Sequence, residues 1–157
     1  LSLRQSEQAP VRIVVSLTSA AGVSYKLLAE RGAVTAALAL ALSAVRPVDL
    51  QACVELGSNT AVTLLISFPQ PLMLSSVCHA LASAGFARNL GYGLAQHLGA
   101  NGSWIGNCYG GDARYEPMMR DLLKLAPTDI YLRPPQLGDS MLANPVKWIN
   151  NTLARYQ

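Results

Sequence analysis

Residues Val11 to Val45 read VRIVVSLTSAAGVSYKLLAERGAVTAALALALSAV, and this stretch decides the fold class. Val11, Ile13, Val14, Val15 and Leu17 form a short aliphatic run broken only by Arg12 and Ser16, the pattern of a strand covered on both faces. Ser19-Ala20-Ala21-Gly22 cannot prolong it. Ser24 then stands where a helix N-cap belongs, its hydroxyl able to accept from a backbone N–H of the first turn. A helix is therefore expected from about Tyr25, with Leu27, Leu28, Val34, Leu38, Ala41, Leu42 and Val45 as its apolar stripe and Lys26, Glu30 and Thr35 off that stripe. The interleaved alanines favour helix over a strand through Leu38, Leu40 and Leu42, and Gly32 is expected to let the helix lie close on a sheet.

Downstream, Arg46-Pro47 stops the helix. Val48, Leu50, Ala52, Val54 and Leu56 then alternate with Asp49, Gln51, Cys53 and Glu55, which predicts a half-exposed strand at a sheet edge. Gly57-Ser58-Asn59 is a turn, and Ala61 to Phe68 returns as a more continuously apolar strand, so the two form an antiparallel hairpin. Pro69-Gln70-Pro71 ends the hairpin, and Leu72 to Ala84 reads as a helix with Leu74, Val77, Cys78 and Leu81 inward, ended or kinked at Gly85. Phe86, Leu90, Leu94 and Leu98 extend helical spacing towards Gly99. Ala100 to Pro117 has no periodicity, four glycines and the aromatics Trp104, Tyr109 and Tyr115; an irregular segment of that length is more often functional than filler. Met118 to Ala126 reads as a short helix, Asp129 to Arg133 as a strand, and Asn144-Pro145 as an N-cap with proline at the first helical position. Val146, Ile149, Leu153 and Tyr156 stripe that last helix.

Strand, helix, hairpin, helix, strand, helix is the order of an α/β three-layer sandwich, with a mostly parallel sheet and an antiparallel edge hairpin. The expected organisation is a polar linker or arm over residues 1–10 and a single α/β domain over 11–157. A chain of this size can bury about 70% of its extended-chain surface and needs no metal or disulfide to hold it. Half of its residues are apolar and only 13% are charged, which predicts either a surface covered by partners or a domain cut from a longer chain. Leu1 is not an initiator methionine, so the chain is expected to be processed, a fragment, or incompletely recorded.

The net charge of +3 comes from scattered Lys and Arg without a basic run, so a nucleic-acid footprint is missing from the sequence, although nucleic acid is not excluded. Cys53, Cys78 and Cys108 are odd in number and far apart, which predicts reduced thiols in a cytoplasmic setting. The longest apolar stretch, Ala33 to Val45, falls short of the roughly 20 residues a membrane span needs, and no signal peptide is visible.

Two stretches, VRIVVSLTSAAGVSYKLLAERGAVTAALALAL at the front and TDIYLRPPQLGDSMLANPVKWI at the back, resemble members of a bacteriophage- and mobile-element-encoded α/β family without an assigned role. The element order is similar to von Willebrand factor A-like domains. That resemblance implies the same three-layer fold and, if phage-encoded, residence in the host cytoplasm. Metal-binding members of the von Willebrand group carry Asp-x-Ser-x-Ser after the first strand, because a hard divalent cation wants carboxylate and hydroxyl oxygens together. Here the corresponding place, Ser16 to Ser24, keeps hydroxyls and lacks the carboxylate, so no metal and no cofactor is expected. Asp139 beside Gly138 reads as a turn residue.

His79 and His97 fit no metal-ligand spacing, and lone helical histidines are usually structural. A thiol site of Cys108 with Asp112 and a histidine has the right residue types, but nothing in the sequence brings either histidine to it. The dinucleotide, P-loop and Gly-x-Ser-x-Gly patterns are absent. The expected function is a non-enzymatic interaction module binding another protein or its own copies. The alternative is a nucleotide-binding or thiol-dependent enzyme domain using the turn after the first strand and the Cys108 loop. The expected binding residues are Thr18, Ser19 and Ser24 of that turn, Trp104, Tyr109, Arg114 and Tyr115 of the glycine-rich loop, and Arg133 at the end of the last strand. The turn and Arg133 are expected at the carboxyl ends of the strands, where open α/β sheets bind ligands, and the glycine-rich loop is long enough to fold over either edge.

Overall fold

A computed structural model of the chain describes residues 9–19, 23–56, 62–83, 85–86, 89, 93, 97, 115–136 and 138–156. Four strands form one mixed sheet: β1 (Val11–Ser16), β2 (Val48–Leu56), β3 (Val62–Ser67) and β4 (Ile130–Leu132), in the order β3-β2-β1-β4. β1 pairs in parallel with both β2 and β4, while β2 and β3 run antiparallel. Its long helix α1 (Tyr25–Ser43) makes the β1-to-β2 crossover, and α2 (Leu74–Ala82) follows the hairpin. Further helices are α3 (Tyr115–Leu122), α4 (Ser140–Ala143) and α5 (Pro145–Leu153), and Gly85, Phe86, Asn89, Gly93 and His97 are also helical.

Alternation along β1 divides the core between the two faces of the sheet. Val11, Ile13 and Val15 point to the face that also buries Leu38, Leu42, Leu50, Val77, Leu81 and Met141, and α1, α2 and the two last helices cover it. Val14 points to the other face, where it packs with Cys53, Met119, Leu123 and Tyr131 beneath α3. With helices on both sides, a central strand can carry apolar residues on both faces, as β1 does apart from Arg12 and Ser16.

Four sequence expectations change for reasons of packing. The first concerns β2, which is not an edge: it lies between β3 and β1, and β3 is the edge strand on that side. Cys53, read as an outward position, is 0% exposed because α3 roofs that face. Second, Thr35 is fully buried although it lies off the apolar stripe; its hydroxyl donates to Arg31 O at 2.9 Å, which satisfies it inside the core. Val45, placed on the stripe, is exposed just beyond the end of α1. Third, Leu74 and Val146, read as inward, are 50% and 69% exposed. Each sits in the first turn of its helix, whose burial falls instead on Val77, Ala80 and Leu81 in α2 and on Thr152 in α5. Fourth, Gly32 does bring two backbones together, but its neighbour is α2 rather than the sheet: a Cβ there would stand 3.2 Å from Leu81 C and Ala82 N.

Local signals hold where they rest on hydrogen bonds. Ser24 Oγ accepts from Leu27 N at 3.2 Å, and Asn144 Oδ1 accepts from Lys147 N at 3.1 Å with Pro145 following it. α2 ends before Ser83, whose hydroxyl accepts from Phe86 N at 3.0 Å, so the break falls two residues ahead of Gly85. α3 starts three residues earlier than read and ends at Leu122. Lys124 takes a left-handed conformation (φ 50°), while Leu125 N donates to Arg120 O and Lys124 N to Asp121 O. That is a Schellman closure with lysine where glycine is usual.

Candidate functional site

The register of β1 against β4 places Val15 opposite Leu132, so Ser16 to Ser19 and Arg133 leave the sheet side by side at its carboxyl edge. Ser16 is buried, and its hydroxyl accepts from Thr18 N at 3.3 Å; Thr18 and Ser19 are half-buried. Arg31, in the second turn of α1, reaches into this junction and is 2% exposed. Its Nη1 donates to Ser16 O at 3.0 Å, and its Nη2 donates to Leu132 O at 3.1 Å and Arg133 O at 2.7 Å. One guanidinium thus ties the ends of β1 and β4 to α1, with carbonyls as acceptors. The sequence reading missed it, because a single arginine in a helix ordinarily reaches solvent.

Beyond Arg133 lies a cleft of about 170 Å³ lined by Tyr131, Arg133, Asp139, Met141, Trp148 and Glu116. Its charges are engaged with one another and with their own helices. Arg133 Nη2 lies 3.5 Å from Asp139 Oδ1, Asp139 Oδ2 accepts from Gln136 N at 3.0 Å, and Glu116 pairs with Arg120 at 3.1 Å. Asp139 therefore organises the turn at Gly138 (φ 85°), as expected, and also anchors Arg133.

Of the expected binding residues, Thr18, Ser19 and Arg133 are brought to one edge. Ser24 follows them in the chain with its hydroxyl committed to the α1 cap. Trp104, Tyr109 and Arg114, together with Cys108 and Asp112, lie outside the described residues; Tyr115 opens α3, with its side chain likewise outside. His79 is exposed and meets Phe86 edge-on at 6.0 Å. Among the described residues no three of His, Cys, Asp and Glu group to hold a metal. The edge carries hydroxyls, and Asp139, a carboxylate described beside it, is held by Arg133 and a backbone N–H. Thermal melting should accordingly be the same in EDTA, magnesium or calcium, since a ligand binding only the folded state raises the melting temperature. A shift of several degrees with either ion would overturn this.

A second surface is conspicuous for what covers α1. Its first turns expose Tyr25, Lys26, Ala29 and Glu30; beyond them the exposed positions are Ala33, Ala37, Leu40 and Ser43, followed by Ala44 and Val45, and from Gly32 to Val45 the chain has no charged residue. α1 starts at the carboxyl edge and α2 at the amino edge, so the two are antiparallel, as the meeting of Gly32 with Leu81 and Ala82 requires. Counting about two turns along each helix from that meeting brings Leu40 level with Leu74. Leu40 is 43% exposed, Leu74 50% and the adjoining Met73 62%. Among the described residues no helix is long and apolar enough to cross a membrane.

Comparison with protein-family models, with curated proteins and with solved structures finds no match to this chain.

Proposed function

We propose that this chain is a non-enzymatic α/β interaction module that binds another protein, or a second copy of itself, through the outer face of α1 and the start of α2. The observation that carries this reading is the absence of charge over that face from Gly32 to Val45. A surface helix normally sets polar residues opposite its buried stripe, and a helix apolar all round is one that something covers. Exposed Leu40, Met73 and Leu74 at one level of two packed helices add large side chains of the kind that anchor an interface. The carboxyl-edge cleft, with Arg133 and Trp148 in its wall, offers a smaller second contact for the same partner.

The order of strand, helix, antiparallel hairpin, helix and strand supports a likeness to von Willebrand A-like domains that have lost the metal motif, and an origin in a phage or mobile element acting in the host cytoplasm is part of this proposal. Sedimentation or light scattering across a concentration series tests self-association, and capture from the native host tests a foreign partner. A strictly monomeric chain that captures nothing would sink the reading.

A further inference from the structure

The basic residues that are scattered in the sequence are partly gathered by the fold. At the amino edge of the sheet, the turn between α3 and β4 is gripped from several directions. Arg12 Nη1 donates to Leu123 O at 3.2 Å, Arg120 Nη1 donates to Asp129 O at 3.2 Å, and the Tyr156 hydroxyl donates to Thr128 O at 2.6 Å. Lys124 belongs to that turn, and the Arg155 guanidinium stands 5.9 Å from the Tyr156 ring centre. Arg46 enters from the β2 side, its Nη2 donating to Ala9 O at 3.4 Å beside the Val11 N to Pro47 O bond. Burial pushes the Tyr156 phenol up while Arg155, Arg120 and Arg46 pull it down and Asp129 raises it, so the three guanidiniums share one neighbourhood.

The carboxylates in that neighbourhood are mostly turned inward. Asp129 is buried, and its two oxygens accept from Arg12 N and Ala126 N. Glu116 holds Arg120 one turn up α3, and Asp49 Oδ2 accepts from Gln51 Nε2 at 2.7 Å. Asp121 is the exposed acid on that side. Lys124 and Arg155 are exposed and Arg46 half-exposed, and among the described residues none of the three has a carboxylate within ion-pair reach.

We propose that this amino edge, with Arg46, Lys124 and Arg155 at its rim, binds the phosphate backbone of single-stranded nucleic acid without reading its sequence. Order in the sheet sets Arg46 ahead of β2, Arg12 on β1 and Lys124 ahead of β4, a ledge three strands wide with neighbours about 4.8 Å apart. A closely spaced line of phosphates matches such a ledge, and a flexible single strand can bend along it. Arginine, with its planar fork of donors, suits phosphate oxygens. The surface is distinct from the α1–α2 face, so neither proposal depends on the other.

The test is fluorescence anisotropy of the full chain with a labelled twenty-nucleotide oligothymidylate over a salt series. Three phosphate contacts on a single strand predict a logarithmic salt slope of about −2, so that affinity falls about twentyfold between 50 and 200 mM salt. Arg155→Gln and Lys124→Gly should each weaken binding severalfold and flatten the slope by about 0.7. Lys124→Gly also relieves a left-handed lysine, so its loss of binding would not come from unfolding. Lys26→Gln, remote on α1 and paired to Glu30, should leave binding unchanged. No binding at 50 mM salt, or equal weakening by Lys26→Gln, would overturn the proposal. So would competition by polyglutamate as strong as by unlabelled oligonucleotide, which would assign the edge to an acidic protein instead.

Discussion

Arg31→Ala is expected to lower the unfolding free energy by about 3–5 kcal/mol. The guanidinium is 2% exposed and supplies donors to three main-chain carbonyls, those of Ser16, Leu132 and Arg133. Charge-assisted bonds of this kind contribute roughly 1.5–3 kcal/mol each in favourable settings, but they are not additive, and the larger cost is of stranding buried acceptors. The aliphatic stem also leaves a void between α1 and the sheet. Because a domain of this size is stable by only about 5–15 kcal/mol, the variant should be partly unfolded at moderate temperature. Arg31→Lys keeps the charge but loses the planar fork that serves two strands together, so it should recover about half. Urea titration followed by circular dichroism measures both. A cost below about 1 kcal/mol for Arg31→Ala would mean that water replaces the guanidinium, and that the junction of β1, β4 and α1 does not depend on it.

The second large effect is on association. Leu40→Glu and Leu74→Glu each place a charge on the uncharged α1–α2 face, and each should weaken binding by about 2 kcal/mol or more, roughly thirtyfold. Both side chains are 43–50% exposed in the free chain, so the cost to folding should stay within about 0.5 kcal/mol. Sedimentation, for a self-complex, or calorimetry against a captured partner reads the loss, with thermal melting as the control for folding. If association survives both changes and is lost in Arg133→Ala, the carboxyl edge is the interface; if it survives all three, the proposed function loses its surface.

The carboxyl edge of the sheet is poorly suited to a cation. Ser16, Thr18 and Ser19 bring hydroxyls to the end of β1, yet Arg31 brings a positive charge to Ser16 O, which is unfavourable for a cation at the same edge. The buried Arg31 guanidinium, tied to three main-chain carbonyls, makes the carboxyl edge a mechanical joint. This is the physical ground for expecting indifference to magnesium, calcium and EDTA.

The sequence by itself determined those features whose energy is local or periodic. β1 was legible from its aliphatic run, α1 from the Ser24 cap and the alanine-rich pattern, the β2–β3 hairpin from two strands around a short turn, and α5 from Asn144-Pro145. Each rests on groups within a few residues of one another, such as Ser24 Oγ and Leu27 N. The adjacency of the β1 turn and Arg133 was also within reach, because parallel neighbours of β1 must end at the same edge. Only the tertiary structure decided what lies across from each element. Cys53 is buried because α3 covers its face, Leu74 is exposed because α2 turns Val77 and Leu81 inward, and Gly32 meets α2 rather than the sheet. Arg31 became the clasp of the carboxyl edge, and Arg12, Arg46, Arg120, Lys124 and Arg155 came to share the amino edge, through contacts between residues as many as 117 positions apart. A pattern of residue types records which side of a strand or helix is apolar; it does not record the neighbour against which that side is pressed, and burial and charge density are properties of the pair.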